Sequence, residues 1–149
     1  MKNVLLIMVL ASLSGCSHQK RLASPAATGF PVLPAAITGS FSDDYGSVYT
    51  ITDTTIVQQP GNTYQLLSCD TASKVIIARN AMSNHSEQGL YTRIDYMFFE
   101  GMSPWTWGYC LTIYNAPTDS AALAAPSADR SNPRKGCNGF PFTRMRRPG

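Results

Sequence analysis

The chain reads as mainly β: a small antiparallel barrel or sandwich of seven to eight strands with one short late helix. Three observations carry that expectation. Two segments, 90–99 and 105–114, alternate apolar and polar residues with the period of two that marks half-buried strands. Turn-forming clusters such as Asp43-Asp44-Tyr45-Gly46, Pro60-Gly61-Asn62 and Asp70-Thr71-Ala72-Ser73 punctuate the chain at short, regular intervals. After the leader, only Asp119–Ala125 is rich in helix formers.

The elements follow in order. Met1-Lys2-Asn3 is a basic start, and Val4–Leu13 is almost wholly apolar. That run is shorter than the ~20 residues of a membrane span and has the shape of a secretory leader. Ser17–Ala36 holds Pro25, Pro31 and Pro34 among Ala, Ser and Thr, without apolar periodicity, and reads as an extended tether. The folded domain is expected over 37–149. Ile37–Ser42 and Ser47–Thr52 form a first hairpin about the Asp43–Gly46 turn, with Tyr49 and Ile51 sharing a face. Thr54–Gln59, Thr63–Cys69 and Lys74–Arg79 are further strands, the last carrying the apolar run Val75-Ile76-Ile77 of a buried strand. Asn80–Gly89 is a polar loop.

Leu90, Thr92, Ile94, Tyr96 and Phe98 then share one face, opposite Tyr91, Arg93, Asp95, Met97 and Phe99. In the next strand Trp105, Trp107, Tyr109, Leu111 and Ile113 share a face expected to be core. Thr118 caps the helix, Pro126 stops it, and Leu123 is its expected contact with the sheet. Phe140–Met145 reads as a closing edge strand, because Pro141 cannot serve a central ladder.

The leader ends in Leu13-Ser14-Gly15-Cys16, which resembles the lipobox of bacterial lipoproteins. The resemblance implies a signal peptide over 1–15, cleavage before Cys16, and diacylglycerol and acyl (palmitate-type) modification of Cys16. It also implies anchoring in the cell envelope. Ser17, where an Asp would favour inner-membrane retention, implies the outer membrane, facing the periplasm. Separately, Gly39–Ser47 with Thr50-Ile51 resembles the first hairpin of avidin-type barrels. Phe41 stands where that family carries Trp, so the resemblance implies a barrel-opening hairpin and not biotin binding. Tyr109-Cys110, Gly136-Cys137 and Gly139-Phe140 resemble a pattern in a group of small exported bacterial proteins, which implies no activity.

An exported chain meets an oxidising compartment. With Cys16 lipidated, Cys69, Cys110 and Cys137 remain, and three pairings are possible. Cys110–Cys137 is favoured: a strong strand and a turn before the last strand would be stapled across 26 intervening residues, worth ~3 kcal/mol by loop entropy. Cys69 is then a free buried thiol. As a nucleophile it would need a cation, and Lys74 across a turn is the only one near in sequence. His85 is the only His in the folded part, has no second metal ligand, and with adjacent Ser86 forms no triad; a solvated loop is the reading taken.

The formal net charge of +3 is too mild to imply a nucleic-acid partner. Its distribution is uneven: Arg130, Arg134, Lys135, Arg144, Arg146 and Arg147 follow Asp129 with no acid among them. This is either a solvated end or, through Arg144, Arg146 and Arg147, a contact for anionic lipid or an anionic envelope polymer. Tyr96, Trp105, Trp107 and Tyr109 fill a core or line a small-ligand pocket. No cofactor or metal is expected. The function expected is a non-enzymatic, membrane-anchored envelope lipoprotein that binds an unknown partner. The alternative is a carrier of a small apolar ligand.

Overall fold

The computed structural model describes residues 31–149. The leader, the lipobox with Cys16, and the tether up to residue 30 lie outside the described residues. Eight antiparallel strands form a closed barrel in chain order: β1 (Gly39–Asp43), β2 (Val48–Ile51), β3 (Thr55–Gln59), β4 (Thr63–Asp70), β5 (Val75–Asn80), β6 (Tyr91–Phe98), β7 (Trp107–Ala116) and β8 (Thr143–Arg146). Of the two β architectures the sequence allows, it is the barrel. Closure pairs β8 with both β7 and β1, so the strand expected at an edge has a neighbour on each side. Pro141 causes no conflict because it lies before the strand.

Period-two patterning builds the interior. Phe41, Tyr49, Ile51, Ile56, Tyr64, Leu66, Ile76, Ala78, Ile94, Tyr96, Trp107 and Met145 all point into one apolar core. The packed chain begins earlier than Ile37. Leu33 is buried in the same core, its N–H donates to Asp53 Oδ1 at 3.1 Å, and a 3-10 turn over Ala35–Ile37 buries Ile37.

Two irregularities reset the alternation. Between Leu66 and Ser68 the β4–β5 register shifts, so Leu67 is exposed while Cys69 packs against the core. On β7, Ile113 pairs with Arg93 but Leu111 with Ile94. The odd residue, Thr112, flips the face: Leu111 packs against the interior, and Ile113 turns outward against Val75, Ile77 and Ala122. The expected Trp105–Ile113 core face therefore holds only from Trp107 to Leu111. Trp105 precedes β7 and is half-buried on the outside.

The connection from β7 to β8 runs over the outer wall. It begins with α1 (Asp119–Ala124), whose N-cap Thr118 accepts a hydrogen bond from the Ala121 N–H at 3.1 Å. The helix packs through Ala122, fully buried, while Leu123 is 59% exposed, the reverse of the sequence expectation. A small side chain lets so short a helix lie close to the strands beneath. Val75 and Ile77 are thereby buried outside the barrel while Ile76 and Ala78 are buried inside it, which explains the continuous apolar run of β5. A disulfide joins Cys110 to Cys137 (Cα–Cα 5.4 Å), the pairing expected, and Cys69 is free. Among the described residues no helix is long and apolar enough to cross a membrane.

Candidate functional site

On β8, Met145 faces the core, so Arg144 and Arg146 face outward. Both reach Trp105, their guanidinium carbons lying 5.0 and 5.3 Å from its ring centre. Arg144 also donates through Nε to Asp44 Oδ2 (2.7 Å) and through its backbone N–H to Asp44 Oδ1 (3.2 Å), tying β8 to the β1–β2 turn. Arg147 lies 4.6 Å over the Phe41 ring and donates through Nη2 to the carbonyls of Ala35 (3.4 Å) and Thr38 (3.2 Å). Gly39 makes room for it: a Cβ there would stand 2.8 Å from Arg147 Nη1, on a backbone at φ +111°. Arg144 and Arg146 thus lie on the outer wall against Trp105, and Arg147 lies over the core ring of Phe41.

Beside them opens a groove of about 670 Å³, lined by Asp44, Tyr45, Phe99, Met102, Arg134, Phe142 and Arg144, with Pro133 and Pro141. Tyr45 is 71% and Met102 37% exposed. Gly108 shapes this wall, since a Cβ there would come within 2.7 Å of Phe99 Cζ and 2.9 Å of the Thr143 carbonyl oxygen. Arg134 and Arg146 are exposed and make no ion pair or hydrogen bond among the described residues. Asp44, the only acid lining the groove among the described residues, is taken by Arg144. The wall is therefore cationic, aromatic and open.

The interior offers far less room. Trp107 and Tyr109 line a cavity of about 20 Å³ together with Tyr49, Tyr64 and Leu111. Such a space holds about one water, whereas small-molecule pockets run to ~300–1,000 Å³. Tyr96 is packed in the same core, and its hydroxyl and Trp107 Nε1 have no hydrogen-bond partner among the described residues. Of the four aromatics proposed to line a pocket, three fill the barrel and Trp105 lies outside it. Tyr49 donates to Asp43 Oδ2 (2.9 Å), and its oxygen lies 2.8 Å from that of Tyr109. Burial, with each tyrosine's neighbours, pushes Tyr49 far above the usual phenol range. Burial likewise raises Tyr109, and with the Cys69 thiol nearby it pushes Tyr96 up to about 12.

His85 and Ser86 are exposed in the loop between β5 and β6. The loop is held by Asn84, whose amide both accepts from the Thr63 N–H (2.8 Å) and donates to its carbonyl (3.0 Å), and by Asn80, which donates to the Glu87 and Tyr114 carbonyls. A notch of about 240 Å³ there is lined by Ser86 and Glu87 but not by His85, so His85 and Ser86 do not share a site. Cys69 is half-buried and burial raises its thiol, the opposite of what a nucleophile needs; Lys74 is half-buried in the turn before β5. Among the described residues no group of three or more His, Cys, Asp or Glu could hold a metal.

One cluster has no counterpart in the sequence reading. Asp95, fully buried on the outer face of β6, accepts from Arg93 Nε (2.8 Å), Arg130 Nη2 (2.8 Å) and Thr112 Oγ1 (3.0 Å). Arg93 also donates to the carbonyls of Leu123 and Ala125 and to Ser127 Oγ, and Arg130 to those of Ser73, Lys74 and Tyr96. The cluster clamps the β7–β8 connection onto the wall, and every group in it is engaged. Arg130 therefore leaves the set of bases available to a partner. The available signal was Arg93-x-Asp95, two opposite charges on the same face of an otherwise apolar strand.

No protein family, curated protein or solved structure matches the chain.

Proposed function

We propose that the chain is a bacterial envelope lipoprotein, held by lipid on Cys16 and most simply placed in the outer membrane facing the periplasm. Its barrel serves as a non-enzymatic interaction module. The observation that carries this reading is Leu13-Ser14-Gly15-Cys16 directly behind a short apolar leader. One acyl chain binds a membrane marginally, at ~0.8 kcal/mol per buried methylene, whereas two or three anchor it stably. The wall around β8 supports a binding role, since it combines exposed arginines with exposed aromatic surface. Its partner chemistry is anionic: a lipid surface or an envelope polymer. The carrier reading finds little support in an interior with about 20 Å³ to spare.

The test is Cys16→Ala in the native host. The expected result is loss from the membrane fraction, or retention of an uncleaved precursor, with loss of lipid mass on the Cys16 peptide. Unchanged fractionation and mass would overturn the anchor.

A further inference from the structure

We propose that the wall formed by β8, Trp105 and the adjoining groove is a docking face for an anionic phospholipid bilayer. The proposal rests on the lipid-anchor reading of Cys16 and gives the anchored barrel a defined orientation.

Four observations converge. First, Arg134, Arg144 and Arg146 lie along this wall, and Arg134 and Arg146 make no ion pair or hydrogen bond among the described residues. Second, the charge is complementary: the one acid lining the groove among the described residues, Asp44, is paired with Arg144, which leaves the wall net positive. Third, the wall carries what an interface at headgroup depth uses. Trp105 sits within reach of two guanidinium groups, and Tyr45 and Met102 line an open apolar groove beside them. A linear polyanion would require the charges alone; the exposed apolar side chains between them favour a bilayer.

Fourth, the wall adjoins the segment that leads to the anchor. Arg147 holds the carbonyls of Ala35 and Thr38, where the chain coming from Cys16 joins the barrel. A short tether gives the face an effective concentration on the order of millimolar at the surface. A face too weak to bind from solution is then enough to dock.

The two tryptophans make the test spectroscopic, because Trp107 is buried inside the barrel and Trp105 lies on the wall. The full-length lipidated protein is reconstituted into vesicles with brominated acyl chains, made of phosphatidylcholine alone or with added phosphatidylglycerol. Quenching of Trp105 is expected on the anionic vesicles only. It should vanish in Trp105→Phe and be reversed by salt. Each of Arg134→Gln and Arg146→Gln should lower the docking equilibrium about five-fold. Both arginines are exposed and make no ion pair or hydrogen bond among the described residues, and the Trp107 emission reports that the barrel persists. Equal quenching on both vesicles would overturn the role of charge. A lipidated protein whose Trp105 stays unquenched on anionic vesicles would overturn the docking face, whether the wall is bare or covered by a second copy. Anchoring is read separately, from the mass of the Cys16 peptide. An unlipidated chain that still docks on anionic vesicles would sink the anchor and keep the face.

Discussion

Asp95→Ala should be among the most damaging single substitutions outside the barrel core. The carboxylate is fully buried and accepts from Arg93, Arg130 and Thr112. Removing it leaves Arg93, whose side chain is 7% exposed, as a buried cation without a counterion. Breaking one partner of a buried pair costs ~3–5 kcal/mol, a large part of the ~5–15 kcal/mol that holds a domain together. With a urea m-value of ~1–3 kcal/mol/M, the unfolding midpoint should fall by roughly 1–5 M, about 2 M at the middle of both ranges. Pairing Asp95→Leu with Arg93→Met should recover part of the loss, since an apolar replacement of a buried pair is tolerated. Recovery stays partial because the Leu123 and Ala125 carbonyls lose their donor. A loss under ~1 kcal/mol for Asp95→Ala would refute the reasoning, since it would mean that water reaches Arg93 at no cost and the connection is not clamped.

Trp107→Ala should cost ~3–5 kcal/mol as a core truncation, and Trp105→Ala nearer ~1 kcal/mol from its lost cation–π contacts; equal midpoint shifts would contradict the inside–outside assignment. Tyr49 has a raised folded-state pKa, so its contribution is fully present below the unfolded value near 10 and is lost as pH rises above it. Urea midpoints should therefore fall between pH 9 and 11, by up to about 1.4 kcal/mol per pH unit for this group, and Tyr49→Phe should flatten the slope. Arg144→Gln should cost ~1 kcal/mol through its bonds to Asp44 and its ring contact, whereas Arg146→Gln should stay within ~0.5 kcal/mol; the same urea melts separate them.

Strand positions were legible because alternation is a local signal. Tyr49 and Ile51, or Ile94 and Tyr96, declare their shared face in the sequence and keep it in the barrel. The disulfide was legible for a related reason, since both cysteines sit at recognisable elements. What alternation cannot carry across is a bulge. The extra residue at Thr112 leaves no compositional trace, yet it moves Ile113 to the other side of the sheet. Helix packing was misjudged because hydrophobicity favours Leu123, whereas distance of approach selects Ala122. The basic wall was half legible. Counting charges marked the C-terminal end, but counting cannot tell that Arg130 is spent on Asp95 and backbone carbonyls while Arg146 is exposed against the Trp105 ring. That distinction is made by residues far away in sequence, with Asp44 and Arg144 meeting across 100 positions.

Seven of the eight strands join their neighbours through hairpins, and only β8 arrives by a long outer connection. The meander from β1 to β7 can therefore assemble by local steps, while closure is one long-range event late in the chain. Until it happens, β1 and β7 each present an unpaired edge, the arrangement most prone to pairing with another chain. During folding, the four residues Thr143–Arg146 decide whether the sheet ends as a sealed cylinder or as a ribbon open to its neighbours. Four residues offer few ladder bonds for that task. The clamp around Asp95 and the Cys110–Cys137 link act as a jig, holding the connection against the wall so that the last strand is delivered in register.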